Sequence, residues 1–141
     1  MFWDSSALVP LLIPESQSAA LAALVGDDKE ATIWWATPLE CHCALHRRHR
    51  DHPLAAKEMA GAIERIRTVV EHVDTVSPSD ELRRRAARLL ALHPLRAADA
   101  LQLAAALLWC EEQPHAEGFV SLDAKLRDAA LKEGFSVLPV I

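Results

Sequence analysis

Four acidic residues in this chain are of a type and placement that could do chemistry together: Asp4, Glu40, Asp99 and Asp123. Asp99 is the most telling. It lies in the run from Leu95 to Leu108, which is dominated by Ala and Leu, both strong helix formers. After Arg96 the only polar residues of that run are Asp99 and Gln102. Such a helix is apolar on nearly every face and belongs in an interior. Ionised carboxylates are almost never fully buried unless they are paired or bind metal. Asp99 therefore either sits in the first helical turn, favoured by the helix dipole and paired to Arg96, or shares a site with the other three acids. Converging carboxylates stay ionised together only around a cation, and hard oxygen ligands favour Mg2+ or Mn2+. One or two such ions can activate water and stabilise the leaving oxygen of a phosphodiester. Ser6 and Ser121 are candidates to orient that water, or a neighbouring carboxylate, from behind.

The elements that must position these acids follow from periodicity and turn signals. Met1 to Trp3 predicts a short buried strand ending at Asp4, followed by a short or bent helix over Ala7–Ile13, capped by Ser5 or Ser6 and interrupted late by Pro10. Pro14 ends it. A second helix is expected from Ser16 as cap to Val25, with Leu21, Leu24 and Val25 inward and Gly26 as its stop. Ala31–Ala36, β-branched and aromatic, predicts a strand. Thr37 is then the expected cap of a helix with Pro38 in its first turn and Glu40 at capping-box spacing, running to about Arg50. Further helices are expected from Leu54 to about His72, with Met59, Ile63, Ile66 and Val70 on one face, and from Ser77–Ser79 to Leu92. Val73–Val76 between them reads as extended. Gly118–Leu122 is a strand, Asp123 caps a helix that closes at Gly134, and Phe135–Ile141 is a last strand at a sheet edge because of Pro139.

Strands alternating with helices imply parallel pairing and a three-layer α/β/α sandwich with a central, mainly parallel sheet. In such sheets the functional cleft lies beyond the carboxyl ends of the strands. Asp4, Glu40 and Asp123 all fall at strand-to-helix junctions, and Asp99 opens the buried helix. Capping needs acids at helix starts, but not at one end of one sheet.

Composition sets the wider bounds. At 141 residues, 51% hydrophobic and 25% charged, the chain reads as one globular domain over 1–141. No apolar run is long enough to span a membrane, and the first residues do not resemble a secretory signal. Three cysteines make no disulfide framework. A cytoplasmic protein is expected. The net charge of −5 argues against a general nucleic-acid binder. Even so, Arg47, Arg48 and Arg50, and Arg83, Arg84, Arg85 and Arg88, form local basic clusters that would suit a nuclease; solvated helix faces are the plain alternative.

In their order along the whole chain these residues resemble the PIN domain family, and within it the VapC-type toxin ribonucleases of toxin–antitoxin pairs. Asp4-Ser5-Ser6 is similar to the opening Asp-x-Ser motif, and Thr37-Pro38-Leu39-Glu40 to the segment bearing the family's Glu. Leu95 to Ala104 matches the third motif, and Val120-Ser121-Leu122-Asp123 resembles the last. The resemblance implies a metal-dependent endoribonuclease acting on RNA through Asp4, Glu40, Asp99 and Asp123. It also implies a homodimer restrained by a small antitoxin protein. The sequence departs from the family after Glu40, where Cys41-His42-Cys43 and His46 follow. His42 and His46 have the i, i+4 spacing used by zinc sites, but packing accounts for Cys41 and Cys43. Arg47 lies on the same side of its helix as Glu40. It and Arg96 are candidate contacts to RNA phosphate, with an ordinary surface role as the alternative. Of the tryptophans, Trp34 and Trp35 alternate on a strand; a base can stack on an exposed Trp, although core packing or a dimer face is the favoured reading.

Two rivals stand beside the nuclease: a PIN-like module that binds protein without catalysis, and a phosphoacceptor receiver domain, which also carries acids at strand ends. The receiver needs paired acids after its first strand and a lysine ending a late strand. Here Asp4 stands alone, and Lys125 falls within a helix.

Overall fold

The computed structural model describes residues 1–141. Five short strands form one sheet: β1 (Phe2–Trp3), β2 (Thr32–Trp34), β3 (Asp74–Val76), β4 (Gly118–Val120) and β5 (Ser136–Leu138). Every pairing is parallel, and the spatial order is β3-β2-β1-β4-β5. Seven helices cover it: α1 (Ser5–Leu12), α2 (Ser18–Asp27), α3 (Thr37–Asp51), α4 (Ala56–His72), α5 (Asp80–Leu92), α6 (Ala97–Trp109) and α7 (Ala124–Glu133).

Alternating side chains divide the interior into two layers, as a strand's period of two requires. Phe2, Trp34 and Phe119 face a core completed by α5, α6 and α7. Their neighbours Trp3, Ile33 and Val120 face the opposite core, made with α1, α2, α3 and α4. The expected three-layer α/β/α sandwich is thus the observed one. β5 does lie at a sheet edge. Its order excludes the receiver alternative, whose doubly wound sheet runs 2-1-3-4-5; here the chain starts at the centre and reverses direction between β1 and β4. The crevice at that reversal opens beside Asp4, which follows β1, and Ser121, which follows β4.

Several boundaries differ from expectation for local reasons. Asp4, rather than Ser5 or Ser6, caps α1, its side chain accepting from the Ser6 amide at 3.2 Å. α2 is preceded by Gln17 and not capped by Ser16, and Gly26 lies inside the helix instead of ending it. Ser18, the first residue of α2, accepts from the Glu15 amide and donates to the Pro10 carbonyl. Thr37 does not cap α3, whose cap position is Ala36; its hydroxyl is committed to Gln102 on α6. The strands β2, β4 and β5 are each shorter than the apolar runs that contain them. On α4, Ala62 and Ile66 are the buried residues, while Ile63 and Val70 stay exposed. The spacing was helical, but the buried stripe is narrower than the run of apolar residues. Cys43 is exposed, against the expectation of packing, whereas Cys41 is buried. Elsewhere the turn chemistry holds: Ser79 and Asp123 cap α5 and α7. Gly134 takes φ +108° past the end of α7, a left-handed conformation that costs glycine nothing.

α6 has the environment its composition demands. Ala100 and every residue from Gln102 to Leu107 are buried, between the sheet and its neighbours α5 and α7. Alanine lets these elements approach closely, and the helix carries Asp99 in its first turn.

Candidate functional site

Asp4 is the most deeply placed of the four acids, with 3% of its surface exposed. Three groups donate to its Oδ2: the Ser6 amide, the Ser6 hydroxyl and the Ser121 hydroxyl, the last at 2.9 Å. Both serines are then fully used. Ser6 Oγ accepts from the amides of Leu122 at 2.8 Å and Asp123 at 3.2 Å, and Ser121 Oγ accepts from Asp123 at 3.1 Å. A hydroxyl has one proton, so the 3.2 Å approach of Ser6 to Ser121 joins two oxygens whose protons both point to Asp4. The pair locks the carboxylate to the turn after β4. Burial nevertheless pushes the Asp4 carboxyl above the usual range, against the lowering effect of these bonds.

Glu40 projects from the first turn of α3. Ser5 donates to its Oε2 at 3.0 Å and lies 3.4 Å from Asp4 Oδ1, so one serine hydroxyl bridges the two acids. Gln102 donates to Glu40 Oε1 at 3.3 Å and to Thr37 Oγ1 at 3.0 Å, while Thr37 donates back to Gln102 Oε1 at 3.3 Å. The one other polar residue of the apolar helix therefore has a buried partner, as it must. Glu40 is also raised, first by burial; the negative charges of Asp4 and Asp99 add to this, and the bonds from Ser5 and Gln102 oppose it.

Asp99 is half-buried and raised by burial and by the charge of Asp123, with Arg96 and Lys125 acting in the other direction. No ion pair within 4 Å joins Asp99 to Arg96, so the pairing offered by the sequence is electrostatic influence only. Asp123 commits one oxygen to capping α7, accepting from Leu126 at 2.8 Å. The four acids thus form a chain of like charges, Asp4 to Glu40 to Asp99 to Asp123, at the carboxyl end of the sheet. No three His, Cys, Asp or Glu side chains approach closely enough to ligate one ion as they stand.

The other candidates add no ligand to this chain. Arg47 is exposed, with no ion-pair partner. His42 and His46 stack at 6.5 Å between ring centroids, with no third ligand beside them. Burial pushes the Cys41 thiol up to about 12, with Glu40 and Asp4 adding to the effect, which leaves it protonated and unreactive. Sequence reasoning missed Ser5, Thr37 and Gln102 as supports of Glu40, and Lys125 as a cation near Asp99. The signal for Gln102 was present, since a lone amide in an apolar helix requires a partner. That for Ser5 was not: its neighbour Glu40 is 35 residues away.

No protein-family model matches this sequence, and no curated protein matches it. Solved structures do. FitAcB from Neisseria gonorrhoeae aligns over 98% of this chain and 96% of its own, with a TM-score of 0.67 and 14% sequence identity. A toxin–antitoxin complex from Klebsiella pneumoniae aligns over 88% of this chain and 87% of its own, with a TM-score of 0.60 and 18% identity. Likeness at such low identity is likeness of fold, and it extends over nearly the whole sandwich.

Proposed function

We propose that this protein is a Mg2+- or Mn2+-dependent endoribonuclease that hydrolyses RNA phosphodiester bonds. We further propose that it is the toxin of a toxin–antitoxin pair, acting in the cytoplasm as a homodimer restrained by its antitoxin. The observation that carries the reading is the chain of four like charges, Asp4, Glu40, Asp99 and Asp123, beside the crevice where the sheet reverses. Such repulsion calls for a cation, and a toxin–antitoxin complex with the same fold supports the cellular role.

The donor set fits Mg2+, which keeps several waters and is commonly held by only one or two carboxylates together with substrate phosphate. The absence of any three-residue cluster is compatible with that habit. Once bound, the ion would supply water activation and charge stabilisation at the leaving oxygen. The protein's part is orientation. Ser6 and Ser121 fix Asp4 through Oδ2 and leave Oδ1 with only the 3.4 Å contact to Ser5. Ser5 and Gln102 hold Glu40 from opposite oxygens. Arg96 and Lys125 moderate the charge of Asp99 and can meet RNA phosphate; exposed Arg47 on α3 is a further candidate for the same contact.

The same lack of a three-residue cluster is what a PIN-like binding module without catalysis would display. Purified protein incubated with single-stranded RNA separates the two. Cleavage with Mg2+ or Mn2+ that stops in EDTA is expected. Cleavage that persists in EDTA, or that requires Zn2+, refutes the acidic site, and no cleavage with any divalent ion favours the module.

A further inference from the structure

Trp35 is 61% exposed, although it follows directly on a fully buried strand and its backbone is fixed by a 3.0 Å bond from its amide to the Val76 carbonyl. An indole this exposed is an uncommon use of the largest apolar side chain. Its ring stands edge-on to Trp34, with centroids 6.4 Å apart and planes at 66°. Trp34 is itself a wall of an open cavity of about 360 Å3 between the start of α5 and α6. Leu82 and Leu101 complete the apolar floor, and Ser79, Asp80 and Arg83 form the rim. That volume is at the lower end of the range for small-ligand sites, and its lining is mixed, with Pro78 beside the three apolar and three polar residues.

The position of this pair is as informative as its shape. Trp35 precedes by two residues the first residue of the helix that bears Glu40, and Leu101 follows Asp99 by two on α6. Residues two apart on a helix do not share a face, so the cavity opens on a different side of α6 from Asp99, and none of the four acids lines it. On the rim, Arg83 and Asp80 pair at 3.0 Å, yet both remain largely exposed. Arg83 can donate to ring nitrogens and carbonyls, and Asp80 can accept from exocyclic amines. A flat heterocycle with a polar edge complements such a cavity.

We propose that Trp35 and the adjoining cavity form a base-binding subsite for single-stranded RNA. One unstacked base enters the cavity against Trp34, with its polar edge at Arg83 and Asp80, and the next stacks on the exposed face of Trp35. This rests on the nuclease reading for its purpose but not for its test, because stacking requires no metal. It would give an acidic protein a hold on RNA that does not depend on net positive charge.

The test is binding of a short fluorescent single-stranded RNA by the full chain in EDTA, followed by anisotropy, with sedimentation of the same proteins. Trp35→Ala is expected to weaken binding on the order of tenfold and Trp35→Phe to restore most of it, as loss and recovery of one stacked base predict. Arg83→Ala should weaken binding by several-fold and reduce discrimination among bases. Replacing successive bases by abasic sites should reveal one position whose loss harms the wild type but has no further effect on Trp35→Ala. Trp35→Ala binding as tightly as wild type overturns the subsite, and so does an absence of any RNA binding. A dimer that Trp35→Ala converts to monomer, with RNA affinity unchanged, overturns it too and assigns the indole to a second copy of the chain. Base-dependent binding at Trp35 without cleavage in Mn2+ would uphold the subsite while refuting the nuclease.

Discussion

Asp99 is where a structural and a functional role predict opposite results. Its raised carboxyl means that the folded protein prefers the neutral form. That preference is fully present below the ordinary carboxylate range and is lost as pH rises through the raised value in the folded state. At neutral pH without metal, ionised Asp99 is therefore a local cost, and Asp99→Asn removes it. The variant should melt at the same temperature as wild type or higher in EDTA, and its advantage should grow as pH is raised through and above the usual carboxylate range. Bound Mn2+ should reverse the order, because stabilisation by a ligand follows its affinity for the folded state. The variant should show little metal-induced shift and lose RNA cleavage by a few orders of magnitude. If Asp99 only favours the helix start, substitution costs about 0.5–2 kcal/mol and leaves the metal shift intact. Melting curves in EDTA and in Mn2+, over a series of pH values, decide between them.

α6 shows why an element this apolar can carry a polar site. Its buried face is largely alanine, with Ala104, Ala105 and Ala106 wholly inaccessible, so it packs close to both the sheet and α5. That proximity brings Gln102 within reach of Thr37 and Glu40 on α3, a helix packed on the opposite face of the sheet. The contact crosses at the carboxyl end, beyond the last strand residues, where no β-structure intervenes. Ala104→Leu should consequently cost about 1–3 kcal/mol through overpacking, measured by urea denaturation. It should also lower cleavage by more than its stability loss explains, since any shift of α6 moves Asp99 and Gln102 relative to Glu40. Unchanged stability would mean that the helix has room to spare and that its alanines serve another purpose. A different logic operates at the far end of the same layer. Arg85 binds Glu112 at 2.7 Å and lies 3.6 Å from Glu133, which also meets His93 at 2.6 Å. These contacts tie α5 and α7 to the turn after α6.

Across the whole molecule, the parallel order β3-β2-β1-β4-β5 makes β1 the axis of the protein. Both of its residues are fully buried, Phe2 in one core and Trp3 in the other. The outer strands β3 and β5 keep exposed positions and one free edge each. Opening β1 requires separating both layers, whereas β3 and β5 can fray alone. Native-state hydrogen exchange should therefore find the amides bonded across β1, including Thr32 to Met1 and Asp4 to Val120, exchanging at the rate of global unfolding. Those of β3 and β5 should exchange faster. Equal protection across the sheet would show that the edges are covered, as a dimer or a bound partner would cover them. No helix is long and apolar enough to cross a membrane.

Local signals in the sequence were enough for the helix-and-strand alternation, the cap at Asp123, the buried character of α6 and the placing of acids at strand ends. Each of these depends on a few adjacent residues: a periodicity, a turn-former, a carboxylate after an apolar run. Tertiary structure decided what depends on distant partners. Thr37 reads as a cap in sequence, but a better bond to Gln102, 65 residues away, claims its hydroxyl. Ile63 and Val70 read as core but stay exposed, while Ala62 and Ile66 are buried and Met59 and Val69 pack partly against the same core. Trp34 and Trp35 are identical in composition and adjacent in the chain. One is buried against α5 and α6 and the other stands in solvent, because the strand ends between them and the chain turns toward α3. The four carboxylates could be named from their positions alone. That they influence one another in a line, with Ser5 spanning the first two, required the fold: electrostatic coupling falls with distance in space, and the chain's own separations of 36, 59 and 24 residues say nothing of that distance.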